Sequence, residues 1–163
     1  MRFTAILSLA TATAATIQES AVASSAEEYI WQIDKWQAGQ SHGHPEAPVT
    51  GWYNFNVSAA EYGEGPTRIP AFHGQCEGYA DGKPLSSNYT NCRLDISDSA
   101  ADATVISRVL PDPDFQQAHI TVHYLFNATN ESKTRRNFTI VIVEDWARER
   151  PPHNFTVTPE EIL

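Results

Sequence analysis

The sequence predicts an all-β protein, formed as a single antiparallel β-barrel or sandwich with one intrachain disulfide. Short runs rich in β-branched and aromatic residues recur along the chain and alternate between apolar and polar positions. Clusters of Gly, Pro, Asn and Asp separate these runs, as turn chemistry requires. No long window combines a helical period of apolar residues with helix caps.

Residues 52–58 show the alternation most clearly. Tyr53, Phe55 and Val57 share one face, whereas polar side chains and Trp52 share the other, which is typical of a half-buried antiparallel strand. An aromatic ring on a polar face makes Trp52 a candidate binding anchor. The predicted strands are residues 29–34, 52–58, 71–79, 92–97, 104–110, 119–126 and 138–143, with a short one at 154–158; the run at 138–143 is apolar on both faces and is predicted to be a central strand.

The N-terminal residues predict a secretory signal peptide. Arg2 supplies a positive charge, an apolar and small-residue run follows, and Ala21-Val22-Ala23 is the clearest A-x-A cleavage pattern, with Ala12-Thr13-Ala14 as a rival. The run is far shorter than the roughly 20 apolar residues of a membrane helix. We expect residues 1–23 to be a signal peptide, residues 24–27 a flexible leader, and residues 28–163 a single β-barrel domain that is secreted to the cell exterior.

The chain is acidic, with 20 Asp and Glu residues against 11 Lys and Arg residues and a formal net charge of -9. An acidic surface repels phosphate groups. The composition therefore argues against nucleic acid and anionic membranes as partners.

The two cysteines, Cys76 and Cys92, are expected to form a disulfide, because an even pair in an oxidising compartment usually bridges. The bridge closes a loop of about 17 residues and is worth about 3 kcal/mol in the chain-entropy model. A reactive thiol or half of a metal site is the alternative. Neither a C-x-x-C motif nor a paired histidine accompanies the two cysteines to support that alternative.

The density of Asn-x-Ser/Thr sequons is typical of a secreted glycoprotein. The candidate sites are Asn56, Asn88, Asn127, Asn130, Asn137 and Asn154. Asn127 and Asn130 are close enough in sequence to crowd each other. Asn88 and Asn127 fall in predicted turns, so we expect both to be accessible.

Residues that suggest catalysis or metal binding are scattered. His119 and His123 lie in a predicted strand, which separates them by about 13 Å, and His42 and His44 have no third ligand nearby in sequence. The carboxylate pairs that a glycosidase would need occur at turns or strand ends: Asp112 with Asp114, Glu144 with Asp145, and Glu160 with Glu161. The sequence thus predicts a non-enzymatic protein with no cofactor and no metal site.

Three segments resemble the Alternaria major allergen family of small secreted fungal β-barrel proteins. They are Tyr29-Ile30-Trp31-Gln32-Ile33, the strand Tyr53-Asn54-Phe55-Asn56-Val57-Ser58-Ala59, and Cys76-x15-Cys92 with a tyrosine shortly before the second cysteine. The order and separation of these blocks also match, over residues 28–146. The resemblance implies an antiparallel β-barrel with a Cys76–Cys92 bridge, and it implies dimers in some members. The extra cysteines of some members are missing here, so a homodimer would be non-covalent, and the dense sequons also depart from the family pattern.

The sequence leaves three functions open. The first, which the resemblance favours, is a secreted non-enzymatic fungal interaction protein of the allergen, elicitor or effector type, acting on host extracellular proteins. The second is a ligand-binding barrel for a small aromatic molecule, of the flavonoid type that the resemblance implies. The third is a small extracellular hydrolase.

Overall fold

The computed structural model describes residues 28–41, 43–95, 102–112, 116–128, 134–146 and 151–162. The predicted signal peptide at 1–23 and leader at 24–27 lie outside these residues, as do His42, Asp114 and Asn130.

Ten β-strands make up most of the described chain. They are β1 (Trp31–Ser41), β2 (Thr50–Ala59), β3 (Phe72–Asp81), β4 (Thr90–Asn91), β5 (Arg93–Leu94), β6 (Thr104–Val109), β7 (Gln117–Asn127), β8 (Arg135–Asp145), β9 (His153–Val157) and β10 (Glu160–Ile162), with a 3₁₀ turn at Gly65–Thr67.

The strands form two antiparallel sheets of five. The first sheet has the order β5-β3-β2-β1-β9, and the second has the order β10-β8-β7-β6-β4. The predicted all-β class with one disulfide is confirmed, and of the two predicted architectures the described strands form the sandwich. The expectation of a closed barrel over residues 28–163 is wrong, as the edges of the two sheets show. There β4 runs into β5 and β9 runs into β10, so the edge strands of the two sheets continue each other instead of pairing side by side.

The core lies between the two sheets and is built from alternate residues of the long strands. Tyr53, Phe55 and Val57 of β2 are almost fully buried, as their alternation predicts. The rings of Phe72 on β3 and Tyr124 on β7 stack across the sheets at 4.1 Å between centroids. Burial of each such large side chain stabilises the fold by about 1.5–3 kcal/mol.

Strand β1 continues well beyond the predicted end at residue 34 because a bulge resets its alternation. The register with β2 shifts between Asp34 and Gln37, and Lys35 adopts a positive φ of 54°. One extra residue in the strand lets both Ile33 and Trp36 face the core, at 0% and 1% exposure. Sequence alternation alone puts these two side chains on opposite faces, and the Gly, Ser, His and Pro residues that follow are typical of a loop.

The strand predicted at residues 92–97 is also wrong in its extent over residues 92–95, whereas residues 96–97 lie outside the described residues. It is replaced by the two short strands β4 and β5, which belong to different sheets and flank Cys92. The Cys92 N–H donates to Val105 O of β6 at 2.8 Å, whereas its sulfur is bonded to Cys76 on β3, with 4.4 Å between the Cα atoms. Cys92 therefore ties the second sheet to the first at this edge.

A buried hydrogen bond joins the two sheets next to the disulfide. Tyr53 Oη of β2 lies 2.8 Å from Ser107 Oγ of β6, and Ser107 Oγ lies 3.5 Å from the sulfur of Cys92. Burial raises the pKa of Tyr53, and the hydrogen bond to Ser107 partly offsets that rise. The opposing residue on β3 is Gly78, where a Cβ would stand 2.4 Å from Tyr53 Oη. Only glycine leaves room for this ring.

We expect Ser107→Ala to lower the free energy of unfolding by about 1–3 kcal/mol, because it removes the buried hydrogen bond between Ser107 and the Tyr53 hydroxyl. The double variant Tyr53→Phe/Ser107→Ala should be more stable than the sum of the single effects implies, because both polar groups are then gone. Urea unfolding of the four proteins measures this coupling. Strictly additive losses would show that the hydrogen bond contributes nothing.

Replacement of both cysteines by alanine should cost about 2–4 kcal/mol of unfolding free energy and lower secretion, because the bridge restrains the unfolded chain. Urea unfolding compares the variant with the wild type. A binding activity should survive in the folded fraction, since the bridge is buried and structural. Reaction of both thiols with a thiol reagent in the native protein would contradict the bridge itself.

Candidate interaction surface

The outer face of the first sheet carries two exposed aromatic side chains. Trp52 on β2 pairs directly with Tyr79 on β3, so both rings project from the same face. Trp52 is 40% exposed and Tyr79 is 77% exposed. Large aromatic rings are uncommon in such exposed positions and dominate the energetics of interfaces when a partner covers them.

The backbone beneath Trp52 is adapted to its indole ring. Trp52 pairs on its other side with Gly39 of β1. A Cβ at Gly39 would lie 2.5 Å from Trp52 Nε1 and 2.7 Å from Cε2. The indole therefore occupies the space above the Gly39 backbone, which holds the ring in place while two fifths of the residue stay exposed.

Tyr79 lies at the rim of an open cleft of about 800 Å³ at one edge of the sandwich. The end of β3, the turn that follows it and the end of β6 form its walls, and the polar lining includes Ser86, Ser87, Asn88 and Arg108. The Arg108 guanidinium lies 4.4 Å from the centre of the Tyr89 ring. The buried Nε of Arg108 has no hydrogen-bond partner among the described residues.

The other end of the same outer face is lined by amide side chains. Gln37, Asn54, Asn56 and Gln75 border a shallow depression of about 350 Å³. Gln75 Nε2 donates weakly to Asn54 Oδ1 at 3.4 Å. A hydrogen-bonding surface thus continues from the aromatic pair along β2 and β3, with the exposed acid Glu77 between Tyr79 and Gln75 and Lys35 at the depression.

The described sequon asparagines occupy two kinds of position. Asn88 in a turn, Asn127 at the end of β7 and Asn154 in β9 are exposed, and Asn154 Oδ1 accepts a hydrogen bond from the Lys35 N–H at 2.9 Å. Asn56 in β2 and Asn137 in β8 are half-buried on the outer faces of the first and second sheets. Their occupancy by glycans stays a prediction.

Two of the carboxylates considered for catalysis have basic partners. Glu161 forms two hydrogen bonds with Arg136, at 2.6 and 2.9 Å, which lower the pKa of Glu161 and raise that of Arg136. Glu144 lies 3.6 Å from His153 Nε2. Within the described ranges no group of three or more His, Cys, Asp or Glu residues is placed to hold a metal ion.

Sequence reasoning identified Trp52 and missed Tyr79, Gly39 and Arg108. Strand parity offered a signal for Tyr79, because a buried Cys76 in the same strand puts residues 77 and 79 on the outer face. Gly39 lies beyond the predicted end of the first strand at residue 34, and its pairing with Trp52 depends on the continuation of β1. Arg108 joins the cleft only through tertiary contact.

Comparison of the chain with protein-family models, with curated proteins and with solved structures gave no match. None of the helices in the part of the chain that the structure describes has the length and apolar character of a membrane span.

We expect Gly39→Ala to lower the free energy of unfolding by about 1–3 kcal/mol, because the new methyl group displaces the Trp52 indole. In a Trp52→Ala background the same change should cost little, since the clash is gone. Gly43→Ala is the matched control, because nothing lies within 4 Å of a Cβ at that position. The measurement is urea unfolding. An equal loss of unfolding free energy in both backgrounds would show that the cost of Gly39→Ala does not come from contact with the Trp52 indole.

Proposed function

We propose that this protein is a secreted, non-enzymatic interaction protein, of the allergen, elicitor or effector type that the family resemblance implies. It binds a host extracellular protein through the outer face of its first sheet. The observation that carries the proposal is the cross-strand pair of exposed rings, Trp52 and Tyr79. The predicted signal peptide, the sequons and the disulfide support an extracellular setting.

The seating of Trp52 over Gly39 favours binding. A ring already held in place loses little conformational freedom when a partner covers it, so more of the contact energy appears as affinity. The amide side chains along the same face supply hydrogen bonds at the rim.

The charge of the chain indicates what kind of surface the partner presents. A net charge of -9 speeds association with a basic protein and slows association with an acidic one. We therefore propose a partner with a basic surface around an apolar patch that receives the two rings.

A second candidate is a binding site for a small aromatic molecule of the flavonoid type, in the cleft beside Tyr79. Its volume of about 800 Å³ lies in the range of ligand sites. Stacking on Tyr79, with an acidic hydroxyl of the ligand against the Arg108 guanidinium, would fit such a molecule. Among the described residues no observation favours the hydrolase alternative.

We expect Tyr79→Ala to weaken binding to host extracellular proteins by about 10-fold or more, as for an exposed hot-spot ring. Its thermal stability should be unchanged, because the side chain is 77% exposed. Host extracellular fluid is passed over immobilised wild-type and variant protein, and the host proteins that each retains are compared. Each retained protein is then titrated singly to measure its affinity. Val143→Ala, at an exposed position on the opposite sheet, is the matched control and should bind like the wild type.

A third variant separates the two candidates. Arg108→Gln should abolish quenching of protein fluorescence by an added flavonol if the cleft is the site, and should leave protein binding intact. Equal retention by wild type, Tyr79→Ala and Val143→Ala would reject the proposed surface.

A further inference from the structure

The outer face of the second sheet exposes several aliphatic side chains among polar ones. Val141, Val143 and Ile162 are 51%, 46% and 47% exposed. Leu125 is half-buried in the same row as Ile162, and a polar row of His123, Thr139 and Glu160 separates this row from the two valines. The run predicted to be a central strand forms part of β8, which lies second from the edge between β7 and β10, and β10 pairs with it only at residues 137–139. The outward valines of β8 have no covering layer among the described residues. Exposed aliphatic side chains gain free energy when another group covers them.

Asn137 lies in the middle of an apolar row on this face. The register places Leu125 of β7 directly opposite Asn137 of β8 on one side, and Ile162 of β10 directly opposite it on the other. Neighbouring strands are about 4.8 Å apart. A group attached to the Asn137 side chain would therefore contact both Leu125 and Ile162.

The Asn137 side chain is held with its oxygen engaged. Asn137 Oδ1 lies 3.1 Å from His123 Nδ1, so the ring nitrogen donates, and His123 Nε2 accepts from the Tyr89 hydroxyl at 2.9 Å. The engaged oxygen leaves Nδ2 as the free end of the amide, and Nδ2 is the atom to which an N-linked glycan attaches. A glycosylated amide keeps its oxygen, so the bond to His123 persists after modification.

The third residue of the sequon shares this face. Thr139 follows Asn137 by two residues on β8, and its hydroxyl donates to Val122 O at 3.2 Å. The residue between them, Phe138, points inward and is 5% exposed. The sequon therefore lies on a strand, with the Asn137 and Thr139 side chains on the outer face.

We propose that Asn137 carries an N-linked glycan that covers the apolar outer face of the second sheet, with His123 as the residue that positions the amide. The inference rests on the secretory route of the proposed function. In the transfer, Nδ2 forms a bond to the anomeric carbon of a lipid-linked oligosaccharide, the bond from that carbon to the lipid diphosphate breaks, and an amide proton is lost. A glycan is favoured over a second copy of this chain because the sequon lies within the apolar row and a net charge of -9 opposes self-association.

The test uses the full chain secreted from a eukaryotic host. Mass spectrometry of the Asn137 peptide measures its modification directly. Asn137→Gln and Thr139→Val both remove the sequon, and Thr139→Ser is the matched control that keeps it. Asn88→Gln is a second control, which removes a sequon from a polar turn. Elution from a phenyl column and mass by light scattering report the exposed apolar surface.

The expected result is a glycan on Asn137, and later elution or dimer formation for Asn137→Gln and Thr139→Val but not for Thr139→Ser or Asn88→Gln. Leu125→Ser in the Asn137→Gln background should restore early elution. If the sequon variants fail to fold, the mass of the wild-type peptide still decides occupancy.

Two results would overturn the inference and leave the proposed function standing. One is an unmodified Asn137 in a secreted protein that carries glycans elsewhere. A wild-type dimer that buries this face around an unmodified Asn137 counts as the same result. The other is loss of the Asn137 glycan with no change in elution. A chain that is neither secreted nor glycosylated would refute the proposed function as well.

Discussion

The crossing of the chain between sheets at Cys92 is the constraint on which the rest of the sandwich depends. Two-residue strands on either side of Cys92 belong to different sheets and are too short to hold a register by themselves. The disulfide to Cys76 and the backbone hydrogen bond to Val105 hold this point from both sides. The buried hydrogen bond between Tyr53 and Ser107 is adjacent, so the covalent link and a buried polar link between the sheets lie at one place.

Two glycines make room for the aromatic side chains that β2 places on its inner and outer faces. Gly78 leaves room on the inner side for the Tyr53 ring, and Gly39 leaves room on the outer side for the Trp52 indole. In both cases a side chain from β2 lies over the backbone of a neighbouring strand. The same strand thus contributes a buried polar link to the core and an exposed ring to the surface, and each depends on a missing Cβ in its neighbour.

The two outer faces then differ in chemistry. The first presents aromatic rings followed by amide groups, which suit a protein partner. The second presents aliphatic side chains around Asn137, which suit a covering glycan. If both proposals hold, the Asn137 glycan protects one face from non-specific contact and leaves the other for recognition. The sequons on exposed residues such as Asn88 and Asn127 lie at the periphery of these faces.

The sequence by itself determined the all-β class, most of the long strands, the inward residues of β2 and the cysteine pair, because alternation, turn residues and cysteine count are local properties. It also singled out Trp52 from its parity. Only the tertiary structure decided between barrel and sandwich, placed the bulge at Lys35, split the segment around Cys92 between two sheets and brought Tyr79 beside Trp52. The physical reason is that strand register and sheet membership depend on hydrogen bonds between residues far apart in sequence, which no local pattern encodes.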